Sequence, residues 1–136
     1  MALRSQPKPT ASAPLPTSAE LDILAALWRL GPSTVRDVHQ ALEKESGYTT
    51  TLKQMQLMTE KGLLVRSERY RSHVYEPSQP KERTQKLIAG DLLKRAFDGS
   101  AKSLVLGALA AQPASTEELA EIRRILDQFK KGRGSR

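Results

Sequence analysis

The sequence predicts a mainly α-helical protein in which a winged helix-turn-helix domain with a small β-hairpin wing precedes a helical dimerisation region. Three observations predict this fold class. Apolar residues recur at helical spacing in three segments of 17–62, a β-prone segment with a polar centre follows at 64–77, and apolar helical stripes return in 79–129. Three helices and a short hairpin within about sixty residues is the order of a winged helix-turn-helix, whose recognition helix enters the major groove.

The first helix begins at TSAE, where Thr17 and Glu20 have the spacing of a capping box. It ends at Gly31-Pro32, a C-terminal glycine followed by a helix breaker. Its apolar face consists of Leu21, Leu24, Leu27 and Trp28. The residues before it, 1–16, hold four prolines among small and polar residues and are predicted to form a disordered arm.

The second helix follows at once, because Ser33 or Thr34 can cap it. It stops near Ser46-Gly47. Its apolar residues recur at helical spacing and are Val35, Val38 and Leu42.

The third helix, YTTTLKQMQLMTE, has only a thin apolar line. That line is predicted to be Leu52, Met55 and Met58. At about 100° per residue the opposite face then consists of Thr49, Thr50, Lys53 and Leu57.

A hairpin is predicted next, in LLVRSERYRSHVYEP. Leu64-Val65 begins a β-prone run, 67–72 is polar and loop-like, and 73–75 is β-prone again before Pro77 ends the element. The basic residues predicted at its tip are Arg66, Arg69 and Arg71.

The region 79–129 is predicted to contain three more helices, and 130–136 is predicted to be a basic tail. Asp98-Gly99 is a turn signal, and Ser115 with Glu118 forms another capping box. These helices have more apolar surface than they can cover by themselves, which favours an intertwined homodimer. The residues predicted to form the dimer contact are Leu92, Leu104, Val105, Leu109, Leu119, Ile122 and Leu126.

Composition excludes several classes of protein. There is no cysteine, so disulfides and thiolate metal sites are excluded. No apolar run has the ~18 residues of a membrane span, and the start lacks the apolar stretch of a signal peptide, so we expect a cytoplasmic protein. The net charge is +7, yet 18–78 has eight basic and eight acidic residues. Within that neutral segment, 49–72 has five basic residues against two acidic ones.

Catalysis is not expected. The two histidines, His39 and His73, belong to different elements and lack the spaced carboxylates or cysteines of a metal site. No glycine-rich phosphate loop or nucleophile elbow is present in the sequence. We expect His39 on the solvated side of the second helix, His73 in the wing, and neither enzyme activity nor a metal or cofactor.

Double-stranded DNA is the expected partner of the third helix and the wing. Threonine hydroxyls donate to phosphates or base edges, lysine and arginine neutralise phosphates, and glutamine can pair with adenine. The residues predicted to bind DNA are Thr34, Thr49, Thr50, Lys53, Gln54, Arg69 and Arg71. The alternative is a winged-helix protein-interaction module without sequence-specific DNA binding, which the neutral total of 18–78 favours.

The ordered motifs AELDILAALWRLGPSTVRDVHQAL, YTTTL with TEKGLL, and RSHVYEP resemble the BlaI/MecI/CopY family, the penicillinase-repressor type of bacterial winged-helix regulators. FDGSAKSLVLGAL and STEELAEIRRIL are similar to the family's C-terminal dimerisation helices. The resemblance covers 17 to about 126. It implies a homodimeric repressor on a dyad-symmetric operator, inactivated by a membrane sensor-protease system that cuts within the C-terminal region.

This chain departs from the family pattern at three points. The antibiotic-resistance members have an Asn-Phe scissile pair where Gly107-Ala108 stands here. The copper-responsive members end in a cysteine motif, which this cysteine-free chain lacks, so that mode of sensing is excluded. The family often has basic residues where Gln56 and Leu57 stand.

Overall fold

The computed structural model describes residues 15–43, 45 and 47–134. The predicted order of three helices, a hairpin and three further helices is confirmed. The predicted arm, 1–16, falls almost wholly outside the described residues. The elements are α1 (Ser18–Leu30), α2 (Val35–Leu42), α3 (Tyr48–Glu60), β1 (Leu64–Arg69), β2 (Ser72–Pro77), α4 (Lys81–Ala96), α5 (Ala101–Ala111) and α6 (Thr116–Gly134).

The chain divides into two compact units, with the division between Ala89 and Gly90. The first unit therefore includes the beginning of α4, whereas the sequence placed the domain boundary at 78, before this helix. In the second unit α6 continues past 129 to Gly134. Lys130 and Lys131 favour this continuation, because lysine is a good helix former and stabilises the negative end of the helix dipole.

Two reciprocal capping boxes begin α1 and α2. The Thr17 hydroxyl accepts the Glu20 N–H at 3.1 Å, and the Glu20 carboxylate accepts the Thr17 N–H at 3.0 Å. Of the two N-cap candidates for α2, Thr34 is the cap. Its hydroxyl accepts the Asp37 N–H at 3.2 Å, and the Asp37 carboxylate accepts the Thr34 N–H at 3.3 Å. Each box satisfies backbone donors that the first helical turn leaves unpaired.

The core of the first unit lies between α1, α2, α3 and the hairpin. Its buried hydrophobic side chains are aliphatic or thioether except for one aromatic ring, and Trp28 packs against them while partly buried. Its buried side chains are Ile23, Leu24, Ala26, Leu27, Val35, Val38, Met55, Met58, Leu64 and Tyr75.

The buried line of α3 differs by one residue from the predicted one. Thr51, Met55 and Met58 are buried, whereas Leu52 is half-buried at the edge of the core. Thr51 can be buried because its hydroxyl is within 2.9 Å of Nδ1 of His39 on α2. A buried polar group with a partner avoids the desolvation cost that would otherwise keep it at the surface. The prediction counted only apolar residues as buried and therefore included Leu52, and not Thr51, in the buried line of α3.

The hairpin is longer and tighter than predicted. β1 and β2 pair antiparallel from Leu64 opposite Pro77 to Arg69 opposite Ser72, and only Tyr70 and Arg71 connect them. The prediction of a loop over 67–72 is therefore wrong. The polar side chains of this segment lie in solvent, while its backbone groups pair across the hairpin. An exposed strand can therefore be polar along its whole length, and the polarity of 67–72 did not indicate a loop.

The hairpin is joined to the helices by a short bridge. The N–H of Ser33, between α1 and α2, donates to the Tyr75 carbonyl at 3.0 Å, and the Tyr75 N–H donates to the Ser33 carbonyl at 2.8 Å. The Tyr75 side chain is itself 1% exposed in the core. β2 is thereby held from both its backbone and its side chain, and the hairpin takes a fixed position beside α3.

An ion pair links the end of α3 to the start of α1. The Glu20 carboxylate is buried and accepts a hydrogen bond from Nζ of half-exposed Lys61, in addition to the bond from Thr17. Burial by itself raises the pKa of Glu20, but the bonds from Lys61 and Thr17 outweigh it and hold the pKa below its ordinary value. Glu20 therefore stabilises the fold above its unfolded-state pKa, and this contribution is lost as the pH falls through the lower folded-state pKa.

The Lys61→Met variant should be less stable than the wild type at pH 7 by roughly 1–3 kcal/mol, because it leaves a buried carboxylate without its cationic donor. Burial then dominates and raises the Glu20 pKa, so the deficit should shrink as the pH falls and the carboxyl becomes neutral. Urea unfolding followed by the single tryptophan, Trp28 in α1, measures both quantities. The matched control is Glu60→Gln, which changes an exposed charge beside Lys61. Equal losses at pH 7 and pH 4 would contradict the assigned role of Glu20.

The second unit buries little within one chain. Phe97 packs on Gly107, where an added Cβ would lie 3.4 Å from the Phe97 ring. None of the described side chains of α4, α5 or α6 is fully buried. Of the predicted dimer residues, Leu104, Leu109 and Ile122 are half-buried. The large apolar side chains of the second unit that remain exposed are Leu92, Val105, Leu106, Leu119, Ile125, Leu126 and Phe129.

Candidate nucleic-acid interface

The exposed side of α3 is a continuous polar face. Thr49, Lys53, Gln56 and Glu60 follow one another at helical spacing, opposite the buried line of the same helix. Leu57 is beside them and is 52% exposed. The three polar residues of the predicted face, Thr49, Thr50 and Lys53, are all exposed. Only Lys53 among these residues contributes a positive charge.

The first turn of α3 has no side-chain cap. Its N-cap residue is Gly47, whose carbonyl accepts the N–H groups of Thr50 and Thr51 at 3.1 and 3.4 Å. A helix N-terminus without a capping side chain presents backbone donors that a phosphate can accept. The hydroxyls of Thr49 and Thr50 are exposed at the same end. This end of α3 is therefore equipped to bind a phosphate next to base edges.

A cluster of side chains links α2 to the first turn of α3. The Tyr48 ring meets His39 edge-to-face, with ring centroids 6.1 Å apart, and Arg36 lies 6.0 Å from the Tyr48 centroid. Nδ1 of His39 also contacts the Thr51 hydroxyl. The expectation that His39 is on the solvated side of its helix is wrong: the ring is half-buried, because it packs between the two helices.

The other two helix residues predicted to bind DNA, Thr34 and Gln54, are less available for contact with a ligand. The Thr34 hydroxyl is used as the N-cap of α2. Gln54 is half-buried beside the core and does not belong to the exposed face. Gln56, two residues later, is exposed on that face instead. Thr51 replaces Leu52 in the buried line while Met55 and Met58 keep their places, and this change turns the exposed face away from Gln54 and toward Gln56.

The wing has its basic residues on two sides. Arg66 is opposite Tyr75 in the register and shares the face that borders α3, where Gln56, Glu60, Arg66 and Tyr75 line a groove. Arg69 alternates to the other face, and Arg71 lies in the turn. The tip of the wing therefore has Arg69 and Arg71 but not Arg66. Both arginines of the tip are exposed.

Sequence reasoning missed Arg36, Tyr48 and Gln56. Arg36 and Tyr48 act through contacts between two helices, and no spacing along the chain signals such a contact. Gln56 could have been found from the helical period alone had the buried line been placed at Thr51. In the part of the chain that the structure describes, no group of three or more potential metal-binding side chains occurs. Nor does any described helix have the length and apolar character needed to cross a membrane.

Comparison with known proteins gives consistent matches over most of the chain. A sequence profile of the penicillinase repressor family matches residues 16–128. A transcriptional regulator BlaI of Mycobacterium tuberculosis is 30% identical over 123 residues, which cover 86% of each chain. A penicillinase repressor of Bacillus licheniformis is 27% identical over 116 residues, covering 84% of this chain and 91% of the relative. The match spans both the helix–hairpin unit and the C-terminal helices.

Proposed function

This chain belongs to the penicillinase repressor family, and from that premise we propose that it represses transcription by binding a dyad-symmetric DNA operator as a homodimer. The family consists of transcriptional repressors, which are not enzymes. The resemblance found in the sequence motifs is thus confirmed. Because a repressor acts where the genes are, the proposed place of action is the cytoplasm.

The exposed face of α3 is the observation that supports DNA as the ligand. Lys53 and the two threonines of the first turn lie in solvent, while Thr51, Met55 and Met58 of the same helix are buried. A polar helix face beside an arginine-tipped hairpin suits a duplex, because the major groove admits a helix and the phosphates attract the arginines.

The residues have separate roles in this proposal. The first turn of α3 binds a phosphate through backbone N–H groups, with the hydroxyls of Thr49 and Thr50 alongside. Lys53, one turn further along, neutralises a phosphate or contacts a guanine edge. Arg69 and Arg71 neutralise phosphates beyond the groove. Thr34 caps α2, and only its remaining hydroxyl proton is free to donate to a phosphate.

A second copy of the chain covers the C-terminal apolar side chains in this proposal. Leu119, Ile122, Leu126 and Phe129 alternate at three- and four-residue spacing along α6, the pattern of a helix seam. In one chain Phe129 is 68% exposed. For two copies to bind one operator, their α3 helices must reach major grooves about one helical turn of DNA apart, ~34 Å. The dyad symmetry of the operator follows from the two-fold symmetry of the dimer.

Proteolysis in the C-terminal region is the proposed route of release, with a membrane sensor-protease system as the partner that the family resemblance implies. The pair Gly107-Ala108, at the relatives' scissile position, lies within α5 and is exposed. A protease needs an extended chain, and glycine inside a short helix lowers the free energy of unwinding. A cut there separates α6 from the first unit and removes its seam from the dimer.

The Lys53→Ala variant tests the assigned DNA face. The probe is the duplex that the wild-type chain enriches from a random-sequence library. Loss of one phosphate contact should lower affinity about ten-fold at physiological salt and reduce the slope of log affinity against log salt by about one. Fluorescence anisotropy over a salt series measures both. Lys102→Ala is the control, because it removes the same charge from α5 and should bind as the wild type does.

Two results would count against the proposal, in different ways. If Lys53→Ala binds the enriched duplex with wild-type affinity and slope, the DNA face is not the exposed face of α3. If the wild type enriches no duplex and is indifferent to DNA at low salt, the repressor proposal fails and the protein-interaction module takes its place.

A further inference from the structure

His39 on α2 contacts both ends of the first turn of α3. Its Nδ1 atom lies 2.9 Å from the hydroxyl oxygen of Thr51. Its ring meets the ring of Tyr48 nearly perpendicularly, at 83°, with the ring centroids 6.1 Å apart. These two residues flank Thr49 and Thr50, the exposed threonines of the proposed DNA face. The His39 side chain is therefore one contact away from the end of α3 that is equipped to bind a phosphate.

The two helices act on a positive charge at His39 in opposite directions. The ring belongs to the last turn of α2, where the partial negative charge of the carbonyl end favours a cation. It also faces the first turn of α3, whose amide end carries partial positive charge. The charged or titratable side chains that flank it are Arg36, one turn before, Glu43, one turn after, and Tyr48 on α3. A phosphate bound at the first turn of α3 would offset the positive contributions and so favour a protonated imidazole.

The Thr51 hydroxyl can hold His39 in either charge state. It donates to Nδ1 of a neutral ring whose proton is on Nε2, and it accepts from the Nδ1–H of a protonated ring. When it accepts, its own proton can turn to the Gly47 carbonyl four residues earlier, a bond that threonine hydroxyls make within helices. Thr51 is 5% exposed, so little water reaches this bond. The ring can thus gain a proton without losing the contact between α2 and α3.

We propose that His39 is a proton-linked positioning residue, which gains a proton when DNA binds at the first turn of α3. Histidine is the side chain whose charge ordinarily changes near neutral pH. A phosphate at that turn lies within the range over which charges interact at physiological salt, ~8 Å. By linkage, a ligand that favours the protonated form is bound more tightly by that form, so DNA affinity rises as the pH falls. This inference rests on the proposed function and adds a dependence on pH to it.

The pH dependence of DNA binding tests the inference, because the chain has only two histidines and no cysteine. Fluorescence anisotropy measures affinity for the enriched duplex at pH 6, 7 and 8 and constant salt. The wild type should bind about three-fold more tightly at pH 6 than at pH 8, the size expected of one added charge pair in a high-dielectric setting. His39→Gln keeps a hydrogen-bonding side chain without a titrating group, and it should bind equally at the three pH values.

His73→Gln is the matched control. His73 is exposed in β2, and its replacement leaves His39 as the single histidine of the chain. This variant should keep the pH dependence of the wild type. It also keeps the test decisive if His39→Gln folds poorly, which urea unfolding followed by Trp28 fluorescence reports. Loss of the pH dependence in His73→Gln would assign the proton to the wing and overturn the inference.

Titration calorimetry counts the proton. The heat of binding at pH 7, measured in buffers of different ionisation enthalpy, gives the number of protons taken up per chain. We expect an uptake of a fraction of a proton for the wild type and His73→Gln, and a smaller uptake or none for His39→Gln. A purely structural role of His39 would lower affinity equally at every pH and leave the proton count unchanged, and that result would overturn the inference.

Failure of this inference differs from failure of the repressor proposal. If the wild type binds the enriched duplex with the same affinity at all three pH values, the role of His39 is wrong while the α3 face keeps its role. If the wild type enriches no duplex, both fail together, and the Lys53→Ala experiment shows that result independently of pH.

Discussion

The Leu126→Glu variant should be a folded monomer with greatly weakened operator binding. Leu126 is 59% exposed in one chain, so its replacement disturbs little within the monomer. In the proposed dimer two copies of this side chain are buried, and each lost leucine costs about 1.5–3 kcal/mol before the cost of burying a carboxylate is added. The dissociation constant of the dimer should therefore rise ~100-fold or more. Sedimentation velocity at micromolar concentration measures it.

Gln128→Glu is the matched control for this variant. It adds the same charge on nearly the opposite side of α6, where no apolar seam exists, and should leave the dimer intact. The operator affinity of Leu126→Glu should fall because the dimer is lost. Each monomer then contacts only one half-site and lacks the gain in affinity that comes from two linked binding sites. A Leu126→Glu protein that remains a dimer would contradict the α6 seam, and a wild type that sediments as a monomer would contradict the dimer itself.

The Tyr75→Ala variant should lose about 3–5 kcal/mol of unfolding free energy in the first unit, the usual loss for a large buried aromatic ring. Tyr75 is the largest of the fully buried side chains, and its backbone pairs with Ser33. The ring is the only aromatic one among the fully buried core side chains, and its removal leaves a large cavity there. Because free energies of this size approach the whole stability of a small unit, most of the protein should be unfolded on mild warming.

Tyr75→Phe is the control, since it keeps the volume of the ring and should cost far less than the alanine variant. Urea unfolding reported by Trp28 distinguishes the two, because this tryptophan packs against the same core. Equal stability of Tyr75→Ala and the wild type would mean that the ring does not hold the hairpin to the helices. DNA binding of the alanine variant should recover in part at low temperature, where the folded fraction rises.

The elements themselves could be predicted because their signals are local. Thr17 and Glu20 form the capping box that their spacing indicates, and Gly31 ends α1 with a positive φ angle. Val35 and Val38 are buried as the helical period requires. The groups that form the cap and the helix end are within four residues of one another, so the sequence specifies them without help from the rest of the fold. For Val35 and Val38 the helical period already places both side chains on one face.

The polarity of the binding face could be predicted only in part. Thr49, Thr50 and Lys53 are exposed as expected, because a shift of one residue in the buried line leaves these positions on the outer side. The same shift moves Gln54 toward the core and Gln56 to the surface. Such a change depends on whether Thr51 finds a partner, and His39 is twelve residues away on another helix.

The order of the elements, their caps, the lack of thiol chemistry and the family could be predicted, because all of them depend on residue types and short spacings. The burial of Thr51, the packing of His39 against Tyr48 and the two-residue turn at Tyr70 and Arg71 could not be predicted. These features depend on contacts and pairing between separate elements. A polar side chain such as that of Thr51 can enter the core where another element supplies its hydrogen bond.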